Sequence, residues 1–405
     1  MTRSRRFLRA IARAGLALAL ASRAAAQSED AEVRGLFLSN CAQCHGETGD
    51  GQGTTKLDRP ARSFKDGGFS YGNTPEALFR TISMGIPGTP MPAFDAALDE
   101  EKRRALAAYV ITLGPEIREV SEEDMVLVVR DRPLVVRGKL PPIAEGALEH
   151  PRGLLVGTTD GFTFEYQADD VRLLGVRQGD FVRRSDWVGR GGTELEPLGK
   201  VVHLVEGGAP APCFFLQPEL DEALFKSDIP QGWIERDEDL APVPEFDSLL
   251  ARLKGTWVQG NEAGLDYVLN LPDGSRIASV RETVGRIGAA VGTGFRRRFK
   301  IDIEGTRALV LTTRHDPSLT YIVSFRNGDR TWSWTALRRP DGIVEYVGLG
   351  STATVGSTSG PTGGFFELSW TFRPVEPSFE MELVTIFGGE WSSEIPARLG
   401  EAVRR

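Results

Sequence analysis

Apolar positions recur with a helical period in the first part of the chain and cluster in short β-branched runs in the rest. In residues 30–40 and again in residues 100–113, apolar side chains fall on one face of a helix. Asp99 is a favourable N-cap for the second of these helices, and Gly114 ends it. A shorter helix is predicted from Pro75. The apolar positions are Val33, Leu36 and Phe37 in the first helix and Leu106, Tyr109, Val110 and Leu113 in the second.

From residue 116 onward, short runs rich in β-branched residues alternate with turn dipeptides such as Asp160-Gly161. Strands at intervals of about 8 to 12 residues, with no helical stretch between them, are typical of a sandwich or a barrel. We therefore predict an all-β region, built as two β-sandwich-like modules or as one merged sandwich. Within it, residues 271–274 (LPDG) predict a hairpin turn, and the Gly/Ser/Thr-rich residues 350–366 predict a loop.

These changes of pattern divide the chain into six segments. At 405 residues the chain exceeds the usual size of a single domain, which agrees with such a division. The predicted fold class is a multidomain protein with an N-terminal all-α domain followed by an all-β region. The segments are a signal peptide at 1–26, the all-α domain at 27–115, a first β module at 116–228, a linker at 229–248, a second β module at 249–377 and a C-terminal tail at 378–405.

The first 26 residues have the composition of an export signal: a basic start, the apolar stretch GLALALAS and three alanines that fit an A-x-A cleavage site. The apolar stretch is too short for a comfortable membrane span, so we expect release into the periplasm, with an uncleaved anchor as the alternative. Cleavage would remove six arginines and no acidic residue, which changes the formal net charge from −8 to −14. Such an acidic protein is a poor candidate for binding nucleic acid.

Residues 41–45 are Cys-Ala-Gln-Cys-His, so two thiols and one imidazole share a single helical turn. This spacing suits covalent haem attachment, in which Cys41 and Cys44 meet the two vinyl groups and His45 reaches the iron. A zinc site would need two more ligands, and the other histidines and Cys213 are scattered along the chain. A redox dithiol would need a surrounding βαβ pattern, which is not apparent. Haem attachment is therefore the favoured interpretation.

Two methionines are candidates for the second axial ligand of such an iron. Met91 lies in a Gly/Pro-rich loop between Pro90 and Pro92, whose stiff backbone leaves a weak thioether ligand little freedom to lose. Met84 ends the predicted short helix on its apolar side, where it is expected to fill the core. We therefore predict His45 and Met91 as the axial ligands.

The motif CAQCH, the loop GIPGTPMPAF and the two flanking helices resemble the class I c-type cytochromes. The resemblance covers residues 27–115 and implies one haem c, bound covalently through Cys41 and Cys44. It also implies that the terminal helices cross, with Phe37 against the face that carries Leu106 and Tyr109.

The loop KLDRPARSF resembles the segment of these cytochromes that passes the haem edge. This resemblance implies that Arg62 pairs with a haem propionate, with Arg59 as a second candidate and a solvated loop arginine as the alternative. Ring side chains are expected to wall the haem, although plain core packing would explain them as well. These residues are Phe64, Phe69 and Tyr71.

Residues 152–200, with GRGG followed by Leu198-Gly199, resemble a β module fused to c-type cytochromes in exported proteins of planctomycete-type bacteria. In some of those proteins the cytochrome receives electrons from a sugar-dehydrogenase-like propeller, which has no counterpart among the segments of this chain. The resemblance implies a redox partner protein, such as a sugar or alcohol dehydrogenase.

The β region itself shows no convincing catalytic pattern. Trp187, Trp332 and Trp334 would suit a sugar-stacking face, but ordinary core packing is the favoured interpretation. In the sequence FRRRF, strand alternation places Arg297 on the same face as Phe295, which suggests the rim of a sheet.

These observations favour a periplasmic monohaem cytochrome c that transfers electrons, with a β-rich platform that docks a dehydrogenase or binds a glycan. The alternative is an oxidoreductase whose substrate site lies in the β region and whose built-in electron acceptor is the haem. Whether the chain is itself an enzyme is left open by the sequence.

Overall fold

The structure of the chain is a computed structural model. It describes residues 30–58, 60–67, 69–115, 125–145, 147–184, 194–204, 213–216, 247–305, 307–316, 318–327, 332–362, 365–374 and 376–403. These residues form two compact units. One contains the described residues between 30 and 86 and between 90 and 125, and the other contains residues 87–89 and the described residues between 126 and 184 and between 194 and 403. The predicted signal peptide, residues 1–26, lies outside the described residues.

The first unit is helical, and its helix ends follow the signals in the sequence. The Thr74 hydroxyl accepts a hydrogen bond from the backbone N–H of Ala77 at 3.2 Å, and the Asp99 carboxylate accepts one from Lys102 at 2.9 Å. Both are N-caps that satisfy backbone donors of the first helical turn. The helices are α1 (residues 30–40), α2 (Ala42–His45), α3 (Pro75–Met84) and α4 (Glu100–Thr112).

The core of the helical unit forms where α1 meets α4. The Phe37 ring is fully buried, and its centroid lies 5.4 Å from that of Tyr109. This contact confirms the expected packing of the first helix against the last. The buried members of this core are Phe37, Ala42, Phe64, Leu78, Ile82, Leu106, Ala107 and Val110.

The second unit contains antiparallel sheets, which confirms the predicted all-β region. The largest described sheet has eight strands, in the spatial order β11 (Leu250–Gln259), β12 (Glu262–Asn270), β13 (Arg276–Ala289), β14 (Gly292–Ile303), β21 (Ser378–Gly388), β18 (Val344–Ser351), β17 (Trp332–Arg338) and β16 (Thr320–Arg326). The turn at residues 271–274 joins β12 to β13, as predicted, and the Gly274 N–H donates to the carbonyl of Leu271 at 2.9 Å.

Smaller sheets accompany it. One has the order β2 (Leu134–Leu140), β3 (His150–Gly157), β4 (Phe162–Gln167), β5 (Arg172–Gln178) and β8 (Lys200–Leu204). Another has the order β10 (Asp247–Ser248), β9 (Cys213–Leu216), β15 (Leu309–His315), β20 (Phe365–Arg373) and β19 (Thr354–Thr362). A short one joins β1 (Val126–Leu127), β6 (Val182–Arg183) and β7 (Glu196–Pro197).

Both five-stranded sheets pack on one face of the eight-stranded sheet. Phe164 of β4 lies 5.9 Å from Phe295 of β14, and Phe214 of β9 lies 6.3 Å from Phe299, measured between ring centroids. The opposite face is covered at one end by the C-terminal helix α5 (Ile395–Ala402). The side chains buried there are Ile287, Trp332, Trp334, Ala336, Val344, Tyr346, Val384, Ile386, Ile395 and Leu399.

Two segments differ from the sequence expectation. Residues 354–362, predicted as part of a loop, form β19 and pair along their length with β20. Residues 378–388, expected as the start of a tail, form β21 between β14 and β18, because apolar and acidic residues alternate from Phe379 onward. Of the expected linker, residues 229–248, only Asp247 and Ser248 are described, and they pair with β9.

Candidate functional site

The two cysteines and the histidine of the CAQCH motif lie on one turn of helix. The Cys41 carbonyl accepts hydrogen bonds from the backbone N–H groups of Cys44 at 3.2 Å and His45 at 2.9 Å. Gly46 then ends the turn with a φ of +78°, a conformation in which glycine is favoured. Both thiols are half-buried and free. Burial and the neighbouring Cys44 raise the pKa of the Cys41 thiol to about 11, whereas a reactive dithiol needs a lowered pKa.

The His45 ring is held by a single backbone acceptor. Its Nδ1 lies 3.0 Å from the carbonyl oxygen of Arg62, and a carbonyl can only accept, so Nδ1 carries the proton. The lone pair of a neutral imidazole then lies on Nε2, the atom that ligates metals when Nδ1 is held in this way. Burial lowers the pKa of His45 and outweighs the opposing effect of the hydrogen bond to Arg62, which favours the neutral form of the ring.

Glycines after the motif bring the Arg62 carbonyl to the histidine. The Gly51 N–H donates to the His45 carbonyl at 2.7 Å, and a Cβ on Gly51 would lie 2.7 Å from the carbonyl oxygen of Ala61. A Cβ on Gly53 would lie 2.2 Å from the carbonyl oxygen of Gln43. Because any side chain would clash at these positions, the described residues after the motif approach α2 and Ala61 this closely only with glycine there.

An aromatic ring stacks on the imidazole of His45. Phe64 stacks on His45 with centroids 4.5 Å apart and planes inclined by 19°, and Phe69 stacks on Phe64 at 5.8 Å. Tyr71 is buried, with 3% of its surface exposed. The rings that were expected to wall the haem therefore include two that lie in one stack with His45.

The loop that carries Met91 is tied to the end of α3. The Ile86 N–H donates to the Met91 carbonyl at 3.1 Å, and the Phe94 N–H donates to the Ile82 carbonyl at 3.0 Å. Gly85 makes the reversal possible, because its φ is +69° and a Cβ there would lie 2.7 Å from the Met91 carbonyl oxygen. The Met91 side chain is half-buried.

Met84 differs from its expected role as core filling, because 49% of its surface is exposed. It follows Ser83 at the end of α3, where the helix turns its last residue out of the core. Arg62 contributes its backbone carbonyl to His45, a role that the sequence did not indicate. Arg59 lies outside the described residues.

A second concentration of ionisable side chains lies buried in the β unit, around Glu282. Its carboxylate accepts hydrogen bonds from the hydroxyl of Tyr166 at 2.7 Å, the hydroxyl of Tyr267 at 3.2 Å and Nε of Arg297 at 2.7 Å. Burial and the neighbouring Glu282 raise the pKa of both tyrosines well above its ordinary value, so both hydroxyls can donate. Arg297 is thus a buried ion-pair partner rather than a residue of the sheet rim.

Two histidines and a carboxyl group lie next to this cluster. His203 and His315 have ring centroids 6.2 Å apart, and Nδ1 of His203 lies 4.0 Å from a carboxyl oxygen of Glu345. Burial lowers the pKa of His203 to about 3 and that of His315 to about 4. Burial raises the pKa of Glu345 to about 7, although Arg339 opposes the change.

Sequence reasoning missed these buried groups, although alternation carried a signal. Glu282 has the same strand parity as the buried Val280 and Val284, and Arg297 has that of two buried phenylalanines. Trp332 and Trp334 are buried in the core under α5, as the favoured interpretation predicted, and Trp187 lies outside the described residues.

Among the described residues, no three His, Cys, Asp or Glu side chains are grouped so that they could hold a metal ion. No helix in the described part of the chain combines the length and the apolar composition that a membrane span requires.

Comparison with known families places the first unit. Residues 28–110 match the family model of cytochrome c oxidase, cbb3-type, subunit III. The cbb3-type cytochrome c oxidase subunit FixP of Bradyrhizobium diazoefficiens is 38% identical over 79 residues, which are 20% of this chain and 26% of that protein. Subunit CcoP of Azospirillum brasilense is 35% identical over 79 residues, with the same two coverages of 20% and 26%.

The chain thus spans about a quarter of the length of the curated relatives it matches. The match is confined to the helical unit, which confirms the expected cytochrome c domain at the N-terminus. A domain of this type implies haem c as its cofactor.

Solved structures add weaker similarities. A reducing HAO-like protein complex of Kuenenia stuttgartiensis is 28% identical over 25% of this chain and 50% of that chain, with a TM-score of 0.20. A 4-alpha-glucanotransferase from Thermococcus litoralis is 10% identical over 62% of this chain and 39% of that chain, with a TM-score of 0.30. TM-scores of this size do not establish a shared fold.

Proposed function

We propose that the protein is an exported electron carrier whose N-terminal domain binds one haem c covalently through Cys41 and Cys44. The observation that carries the proposal is the hydrogen bond from His45 Nδ1 to the Arg62 carbonyl at 3.0 Å. It directs the lone pair to Nε2 of a histidine that shares one helical turn with the two thiols. The donor set of two thiols and one neutral imidazole fits haem c and lacks the further ligands of a zinc site.

The residues of the chain would bind and orient the cofactor. Met91 would supply a thioether ligand to the iron, because hydrogen bonds to Ile86 and to Ile82 of α3 constrain its loop, and the side chain would lose little freedom on binding. Phe64 and Phe69 would exclude water, and the Arg62 side chain would pair with a propionate. When bound, the haem supplies a one-electron redox centre whose potential the Met ligand raises.

Expression with a signal peptide in a host that matures c-type cytochromes tests the proposal. We expect an intact mass that exceeds the processed polypeptide by one haem, and a reducible low-spin spectrum. The double variant Cys41→Ala/Cys44→Ala should lose the covalent haem, whereas Cys213→Ala should keep it. A polypeptide mass without haem, from a host that loads a control cytochrome, contradicts the proposal.

The β unit would serve as a platform that docks a redox partner, such as a sugar or alcohol dehydrogenase, or binds a glycan. The acidic balance of the processed chain supports a partner with a basic docking patch, and the relatives named as oxidase subunits support electron transfer. A screen of sugars and alcohols for haem reduction distinguishes two cases. Reduction that requires an added dehydrogenase agrees with a carrier, and reduction without one would instead indicate a substrate site in the β unit.

A further inference from the structure

The face of the eight-stranded sheet that points away from the five-stranded sheets changes character along its strands. Under α5 it is apolar, with Trp334, Tyr346 and Ile386 buried. Beyond the helix, the same face carries charged and hydroxyl side chains. Because the side chains of a strand alternate between faces, these polar positions are set by the pairing register.

Two neighbouring rows of paired residues run across this polar part. In the first row Arg281 of β13 pairs with Lys300 of β14, which pairs with Glu380 of β21. In the second row Thr283 pairs with Arg298, which pairs with Glu382. Glu382 pairs in turn with Gly350 of β18, and Gly350 pairs with Trp332 of β17. Bases and acids therefore lie side by side in each row.

A groove of about 530 Å³ lies over these rows. The short side chain of Thr283 and the absent one of Gly350 lower its floor between longer charged neighbours. A Cβ on Gly350 would lie 2.4 Å from the Trp332 ring, so the indole lies over this glycine at one end of the groove. The volume falls within the range of about 300–1,000 Å³ that is usual for ligand sites.

The charges around the groove balance. Its lining contains three acidic and three basic side chains, and ion pairs hold several of them in place. Arg281 binds Asp266 through two hydrogen bonds, of 2.8 and 3.0 Å, and Arg298 pairs with Glu262. The charged lining residues are Glu262, Glu380, Glu382, Arg281, Arg298 and Lys300.

An aromatic ring lies beside the charged rows. Trp257 of β11 is half-buried, and the guanidinium carbon of Arg281 lies 5.4 Å from the centre of its ring. Register places Trp257 opposite Gly264, which leaves room for the indole on the sheet surface. An apolar ring surface therefore adjoins a fixed array of hydrogen-bond donors and acceptors.

We propose that this groove binds a neutral oligosaccharide that lies across the strands from β12 to β17. Sugar hydroxyl groups both donate and accept, so they match a surface on which carboxylates lie beside guanidinium groups, as Asp266 does beside Arg281 and Glu262 beside Arg298. The balanced charge gives no net attraction for a polyanion or a polycation. Six strands span about 24 Å at the usual spacing, which is long enough for several sugar units.

The proposal assigns a location and a ligand class to the glycan-binding role proposed above for the β unit. It rests on the proposed function only for that role. Titration calorimetry of the full-length holoprotein with cellohexaose, xylohexaose, mannohexaose and maltohexaose tests it. Oligogalacturonate and a chitosan oligomer serve as anionic and cationic comparison ligands. We expect at least one neutral probe to bind, and more tightly than either charged one.

Variants locate the site. Arg298→Ala and Glu382→Gln should each weaken binding of the neutral probe at least tenfold. Arg276→Ala, which removes an exposed arginine on β13 that pairs with Glu304 outside the groove, should leave it unchanged. Thermal unfolding of each variant establishes that the fold is retained.

Three results would overturn the proposal: no neutral probe binds, a charged oligomer binds more tightly, or the two groove variants bind as the unaltered protein does. The haem content of each sample is measured from its absorbance. Loss of glycan binding in a fully haem-loaded sample thus contradicts the groove alone, and absence of haem contradicts the electron carrier alone.

Discussion

The neighbours of His45 determine which of its ring nitrogens is available to bind a metal. One ring nitrogen is occupied by the Arg62 carbonyl at 3.0 Å, and the other is thereby left with the lone pair. The order of Cys41, Cys44 and His45 in the sequence predicts this chemistry, but the backbone partner at position 62 does not belong to any local pattern. Glycines at 51 and 53, which any side chain would obstruct, bring the two together.

Variants of Met91 and Met84 test which methionine is the second ligand of the iron. Met91→Leu should abolish the thioether-to-ferric charge-transfer band of the oxidised protein and lower its reduction potential, because leucine offers no ligand atom. Met84→Leu is the matched control and should change neither property. The absorbance spectrum and a redox titration measure both. The assignment of Met91 is wrong if the band disappears in the Met84 variant and persists in the Met91 variant.

At the scale of secondary-structure elements, local residues determine where helix α3 begins and ends. Its boundaries, Pro75–Met84, follow from a cap, a proline in the first turn and a glycine after the last residue. The helix matters for the site because its C-terminal end anchors the loop of Met91.

Loss of the Thr74 cap should therefore lower the stability of the helical unit. We expect Thr74→Ala to lower the free energy of unfolding of this unit by about 1 kcal/mol, because the Ala77 N–H loses its acceptor. Thr74→Ser keeps the hydroxyl and should stay within a few tenths of the unaltered value. Urea unfolding followed by haem absorbance measures the difference. Equal losses in both variants would show that the hydroxyl is not what stabilises the helix.

The sheets of the β unit are joined by a buried polar contact as well as by phenylalanines. Tyr166 of β4 is fully buried and donates from its hydroxyl to Glu282 of β13 at 2.7 Å. Tyr166→Phe leaves the carboxylate with one donor fewer, so we expect a loss of about 2 kcal/mol in the free energy of unfolding. Tyr321→Phe, at a position that is 46% exposed, is the control and should be nearly neutral. A neutral Tyr166→Phe would show that the contact between these sheets depends on apolar packing alone.

At the scale of the whole molecule, the two units can be followed separately. All seven tryptophans lie beyond residue 115, so intrinsic fluorescence reports on the β region, while haem absorbance reports on the cytochrome domain. This separation makes the buried histidines and Glu345 accessible to measurement.

Acid should destabilise the β unit. An unfolded histidine takes up its proton near pH 6.5, whereas burial holds the pKa of His203 near 3 and that of His315 near 4. The unfolded state therefore binds more protons between these limits, and each histidine costs about 2 kcal/mol of stability from pH 7 to pH 5. Glu345 acts in the opposite direction. Its pKa is about 7 in the folded protein, so the folded state takes up this proton before the unfolded state does, which offsets about 2 kcal/mol of the lost stability over the same interval.

The expected net loss is thus about 2 kcal/mol, and Glu345→Gln should increase it to about 4 kcal/mol by removing the offset. His150, whose pKa is also lowered by burial, acts in the same direction as the other histidines. Comparison of the two proteins cancels the groups they share. Urea unfolding at pH 7 and pH 5, followed by tryptophan fluorescence, measures both losses. Equal losses would show that Glu345 is already ionised in the folded protein at pH 5.

Residues that are close together in the sequence were enough to predict much of this structure. Helical spacing predicts α3 and α4, and Asp99 is recognised as the cap of α4. Residues 271–274 predict the hairpin, and the spacing of Cys41, Cys44 and His45 indicates the cofactor. Each of these predictions depends on residues a few positions apart. The strand at 354–362 was missed because its glycines and serines obscure a pattern that is stabilised by pairing with β20.

Tertiary structure alone decided the contacts between residues far apart in the chain. The acceptor for His45, the burial of Glu282 with Arg297, and the rows of charge beneath the groove all depend on loop closure or strand register. A strand's sequence shows which side chains share a face, but not which strand will lie beside it. The partner on that neighbouring strand determines whether a charge is solvated, paired or available to a ligand.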